Sequence, residues 1–272
     1  MSGRSVPFLF LRKDLRDIRS NRSVWPVYLI LPLIAVALPV IFAIITPLMI
    51  QQAAAKQDQA TLALMAMLGR IPEFAGMEVG QALTRYLVRS AAGIFLIIPV
   101  ALSSTAAAFS IVGEKQQRTL EPILATPITD RQFLLGKLLA SLAPTVAITW
   151  LAGLVATLAV DGVAWSRFGG PILPDRFWLL CLLVLAPLLG AMVVLVTMIF
   201  SAKSTDPQAT VQTTALAIIP GFLLLFGVFG RILTLSFIAL WVACLLAALV
   251  DTALFRANVA KFKREEILTR WK

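Results

Sequence analysis

Apolar residues in this chain gather into six long runs, 26–50, 91–112, 138–160, 177–202, 211–230 and 232–255, separated by polar connections. Each run is close to or above the roughly 20 residues that a helix needs to cross a hydrocarbon core. The pattern predicts an all-α polytopic membrane protein with six transmembrane helices. Ahead of the first run, Phe8, Leu11, Leu15 and Ile18 recur at helical spacing while Arg12, Lys13, Arg16 and Arg19 fill much of the remainder. That arrangement suits an amphipathic basic helix lying in the headgroup plane. It bends into the first span at Trp25-Pro26, where proline fits a helix's first turn. The chain thus divides into an interfacial arm, 1–25, a six-span domain, 26–255, and a basic tail, 256–272.

Two connections are long. Segment 51–90 carries Leu62, Met65 and Leu68, then Val79, Leu83, Tyr86 and Leu87, all at helical spacings. It is too small for an independent domain and reads as one or two short helices that either gate a path or cover helix ends. The other is 113–137, polar and marked by Pro122 and Pro127. Within the spans, Pro144, Pro187 and Pro220 interrupt the runs, and Pro220-Gly221 with Gly227 and Gly230 leaves room for a broken or re-entrant fifth segment.

Composition agrees with a membrane class: 59% of the 272 residues are hydrophobic, 14% are charged, and the mean hydropathy is +0.89. The first run is too long for a signal-peptide core of about 7–15 residues, so it reads as a retained span. Lys and Arg number 6 in the arm, 4 in 113–137, 1 at Lys203 and 6 from Arg256 onward, 17 in all, against 7 in the remaining connections. Positive residues favour the cytoplasmic side, which puts both termini and the 113–137 loop there. The net charge of +10 is then accounted for by anionic lipid, with no nucleic-acid partner. Cys181 and Cys244 both fall inside apolar spans and read as small hydrophobes.

Catalytic chemistry is hard to assemble from this sequence. It contains no histidine, which excludes His-dependent zinc, haem and Ser-His arrangements. A phosphate-binding loop needs G-x-x-x-x-G-K-[ST]. Gly136-Lys137 is followed by Leu138, and Arg131 stands where the first glycine belongs, so no nucleotide site arises by that route. Asp251 is the acid drawn inside an apolar run, about one turn from that run's cytoplasmic end and near Arg256. It suits pairing or snorkelling at the interface, with an ion relay as the alternative. Ser103, Ser104 and Thr105 open a small-residue run in the second span that either packs helices closely or lines a translocation path. A secondary transporter would need inverted repeats and ion-binding acids, and an intramembrane enzyme a nucleophile with a base; neither is legible.

The 113–137 loop itself has internal grammar. Gly113, Glu114, Lys115 and Arg118 continue the second span's helix, Thr119 caps a short helix with Pro122 in its first turn, and Leu120, Ile123 and Leu124 share one side. Thr126-Pro127 ends it, and Thr129-x-x-Gln132 has capping-box form for the third span. At these residues the sequence resembles the ABC-2 type transporter permeases. The matching elements are Glu114, Lys115, Thr119-Leu120-Glu121, Ile123-Leu124, Thr126-Pro127 and Gly136-Lys137. The resemblance extends to the basic arm, the six spans, the second cytoplasmic loop 201–212 and the tail 264–271.

What the resemblance implies is the non-catalytic membrane subunit of an exporter in a prokaryotic cell membrane. Such a subunit pairs with a second permease copy, identical or related, and with two copies of an ATPase that binds ATP and Mg. The short helix then acts as a coupling helix docking on the ATPase. Carried onto this chain, docking falls to Glu114, Lys115, Arg118, Thr119, Leu120, Glu121, Ile123, Leu124 and Pro127, and no metal or cofactor belongs to the chain itself. A hydrophobic or amphiphilic cargo, such as a drug, lipid or lipopeptide, fits the apolar spans; sodium is also associated with such permeases.

Overall fold

A computed structural model describes residues 24–56, 59, 63, 77–117, 129–202, 204–228 and 237–261. All regular structure among them is helical. Helix α1 covers Trp25–Lys56, α2 Val79–Ser90, α3 Ala92–Phe95, α4 Ile97–Gln116 and α5 Asp130–Phe168. After a short link come α6, Arg176–Leu180, a π-helical turn, Cys181–Leu185, and α7, Ala186–Ser201. Helices α8, Pro207–Val228, and α9, Phe237–Lys261, complete the bundle. The interfacial arm, the Leu62, Met65 and Leu68 part of segment 51–90, and the tail beyond Lys261 lie outside the described residues.

Among the described residues five segments are long and apolar enough to cross a membrane, and α8 is the sixth predicted span. Several run further than the apolar pattern implied. Helix α5 has 39 residues, roughly 58 Å of helix, nearly twice a hydrocarbon core. Its additional turns carry Asp130 and Lys137 at one end and Asp161 and Arg167 at the other, so it projects from both faces. Helix α2 continues almost without a break into α3 and α4, which makes one path from Gly80 to Gln116. The break allowed at Pro220 does not occur, for α8 is one helix from Pro207 to Val228. Proline deletes a single backbone donor, which a helix in a bundle tolerates.

Pro187 leaves a clearer mark. In the π turn a carbonyl takes its partner five residues on, as Cys181 O does from Ala186 N. For Leu182 that partner is Pro187, which has no N–H. The Trp150 indole supplies the missing donor, Nε1 to Leu182 O at 2.9 Å. Gly153, one turn further along α5, lets the two helices meet there: a Cβ at this position would stand 2.5 Å from Leu182 Cδ1.

Helix α7 is the central post, packed on α4, α5, α8 and α9. The most apolar window of the Gly80–Gln116 path is 61% buried and that of the Arg176–Ser201 path 56%, against 22% for α1 and 17% for α9. The last two therefore expose their apolar faces, including Leu29 and Leu33 on α1 and Ile238 and Leu245 on α9. Gly190 of α7 brings α4 close, since a Cβ there would lie 3.1 Å from Ser103 Oγ and 2.8 Å from Leu142 Cδ1. Phe95 and Trp178 meet edge to face at 5.1 Å in the main core, and Cys181 and Cys244 are buried free thiols.

Candidate functional site

Helices α4 and α5 end and begin the segment that the sequence singled out, and their tips are joined by charge. Lys137 Nζ lies 2.9 Å from Glu114 Oε1, and it also donates to Ser110 Oγ at 2.7 Å. Glu114 is 3% exposed and Lys137 1%, so the pair is withdrawn from solvent. In that setting a charge is tolerated only with a well-placed counter-charge and further hydrogen bonds. At the next residue, Lys115 Nζ donates to the carbonyls of Ser201 and Ala202 at the end of α7. Gln116 Nε2 donates to Thr205 O at 2.9 Å, in the link to α8. Asn258 of α9 donates to Leu195 O at 3.2 Å. The tips of α4, α5, α7, α8 and α9 are thereby tied at one end of the bundle, called here the loop end.

Local sequence sets up this arrangement. Thr129 and Gln132 form the capping box: Gln132 N donates to Thr129 Oγ1 at 3.3 Å and Thr129 N to Gln132 Oε1 at 3.0 Å. The box starts α5 two turns before Lys137, which fixes the register that turns Lys137 toward Glu114. Tyr28 near the start of α1 donates to Leu102 O at 3.3 Å. Leu102 is fourteen positions before Gln116, so α1 enters roughly 20 Å in from the tip of α4. The Glu114–Lys137 pair thus sits beyond the level at which the first span begins.

Of the residues expected to dock a partner, Glu114 and Lys115 are described, and both point inward. Their charged atoms are engaged within the chain and hold the helix tip in place. Arg118, Thr119, Leu120, Glu121, Ile123, Leu124 and Pro127 lie outside the described residues. Ser103, Ser104 and Thr105 are all buried in α4. Ser104 Oγ and Thr105 Oγ1 donate back to Ala101 O at 3.0 and 2.9 Å, and Ser103 abuts Gly190.

Asp251 departs from expectation. Helix α9 continues to Lys261, so Asp251 lies ten residues from its end and not one turn. Both carboxylate oxygens are buried and make no hydrogen bond among the described residues, and Arg256 points out to solvent. The interfacial pairing expected for Asp251 is therefore replaced by burial within the helix bundle.

Sequence reasoning overlooked Lys137 as a partner of Glu114, having weighed it against a phosphate-binding loop and as part of the Gly136-Lys137 element of the resemblance. The available signal was a pair of opposite charges at the facing ends of consecutive apolar runs. At the far end of the bundle it also overlooked a second cluster. Asp161 Oδ1 accepts from Ile172 N and Leu173 N, both at 2.9 Å, and holds the α5–α6 link against α5. Asp175 Oδ1 caps α6 through Trp178 N at 2.7 Å, while Oδ2 stands 3.7 Å from Arg89 Nε.

A family model described as ABC-2 family transporter protein matches residues 9–249. No curated protein matches the chain.

Proposed function

From the premise that this chain belongs to the ABC-2 transporter family and is a membrane permease of an ABC transporter, we propose that it is an export half-transporter driven by a separate ATPase seated on residues 119–125. Two copies of the ATPase, each binding ATP and Mg, act on a pair of permease chains, identical or related. The uncovered apolar faces of α1 and α9 provide for the bilayer and for that second copy. Both termini and the 113–137 loop face the cytoplasm of a prokaryotic cell, as the Lys/Arg asymmetry favours.

One observation carries the coupling: the buried Glu114–Lys137 bridge closes the two ends of the 118–128 segment into one unit. A push on a helix in that segment reaches α4 and α5 together, because neither tip can move without separating a buried ion pair. Through Lys115 and Gln116 the same push reaches α7 and α8. Rigid-body displacement of helices by a docked partner is an established form of switching. The cargo is a hydrophobic or amphiphilic compound such as a drug, lipid or lipopeptide, with sodium as the other class.

Leu120→Arg and Glu121→Arg test this reading. Each should abolish capture of the ATPase by the purified permease and the stimulation of ATP hydrolysis by substrate. Retention of both would overturn it.

A further inference from the structure

The far end of the bundle holds a cavity of about 480 Å³, lined among others by Arg85, Arg89, Asp175, Arg176, Phe177 and Phe237. Three guanidinium groups face one carboxylate among the described lining residues. That carboxylate is already committed, since Asp175 caps α6 and pairs with Arg89. Arg89 is 6% exposed and lies over the Phe177 ring, its Cζ 4.4 Å from the centroid. Arg89 and Asp175 thus form a paired wall, and among the described lining residues Arg85 and Arg176 are left in excess.

Arg85 sits one turn before Arg89 on α2. Its Nη2 donates to Pro171 O, in the α5–α6 link, at a long 3.4 Å, and its Nε is buried without a hydrogen-bond partner among the described residues. Arg176 stands at the exposed rim on α6. Uncompensated cations in a partly enclosed space raise the local concentration of anions. A guanidinium presents a planar fork of donors that matches carboxylate and phosphate oxygens. One fork satisfies a carboxylate, whereas two forks from different helices lining one cavity, with two more cations than carboxylates among its described lining residues, suit a group with three or four acceptor oxygens. Phe177 and Phe237 give the same cavity an apolar side, and its volume lies in the range of about 300–1,000 Å³ usual for small-molecule sites.

We propose that this cavity binds a phosphate group, carried by an amphiphile headgroup or free in solution, with Arg85 and Arg176 as its ligating side chains. The inference goes beyond the coupling mechanism and does not rest on it: a chain that fails to capture an ATPase would still bind phosphate here.

The test uses the full chain purified in a neutral maltoside detergent, titrated calorimetrically with short-chain phosphatidylglycerol and separately with inorganic phosphate. At least one probe should bind the wild type, and the double variant Arg85→Gln/Arg176→Gln should weaken that binding by about tenfold or more, as loss of two charge-assisted contacts requires. The Arg85→Lys/Arg176→Lys variant should recover part of it, because an ammonium keeps the charge and loses the fork. Competition by inorganic phosphate at equal concentration assigns the site to free phosphate; binding of the lipid without such competition assigns it to a headgroup. Equal affinity of wild type and glutamine variant, or no binding of either probe to the wild type, overturns the proposal.

Discussion

The two ends of this bundle treat buried charge in opposite ways. At the loop end each buried cation among the described residues is matched: Lys137 meets Glu114 and Ser110, and Lys115 meets two carbonyls. At the far end Arg85, Arg89 and Arg176 line a cavity with one carboxylate among its described lining residues, Asp175, which pairs with Arg89. Saturated charge in a low-dielectric setting specifies one geometry and resists displacement. Unsaturated charge around a cavity retains the capacity to bind something else. The same residue types therefore stiffen one end and leave the other receptive.

The contrast can be broken most severely at Lys137. Lys137→Met should cost about 3–5 kcal/mol, because it removes the cation paired with the buried Glu114 carboxylate. The double variant Glu114→Gln/Lys137→Met should regain much of that, and thermal unfolding of the detergent-solubilised chain reads both. A midpoint unaffected by Lys137→Met would mean that the loop end is not saturated in the way described. At the far end the cost should be smaller. Arg89→Gln loses a cation–π contact and a partly exposed ion pair, worth about 1–2 kcal/mol in the same measurement.

Thr129→Ala sharpens the loop end from another direction. It removes one half of the capping box at a cost of about 1 kcal/mol, and it should appear as faster amide exchange in the first turn of α5 while the core of that helix is unaltered. Smallest of all is Arg85→Gln, which should stay within about 0.5 kcal/mol of the wild type because its side chain is engaged by one long hydrogen bond. A large loss of stability there would show that the far-end arginines are structural, as those of the loop end are.

Much of the fold was legible in the sequence because a bilayer imposes length and apolarity on every span. The helix at 79–90 was legible from Val79, Leu83, Tyr86 and Leu87, which recur at a spacing that only a helix brings onto one face. The α5 start was legible from Thr129 and Gln132, since a capping box is complete within four residues. The limits of α5 and α9 were not. Apolarity marks where the hydrocarbon begins and ends, whereas a helix continues until its backbone donors and acceptors find other partners, as at Gly169 with its positive φ of 69°.

The sequence by itself determined the class of the molecule, its six crossings, the alternation of its connections between two ends and the segment most unlike a simple link. Those follow from periodicity and charge, which are properties of neighbours along the chain. Only the tertiary structure decided which charges are satisfied. Glu114 and Lys137 stand 23 positions apart, and Arg89 and Asp175 stand 86 apart. Whether two such groups meet depends on the register and depth at which helices pack, set here by Gly190 against Ser103 and by Trp150 against the π turn before Pro187. Electrostatic energy falls steeply with distance and burial, so the function of a charge is fixed by where packing leaves it.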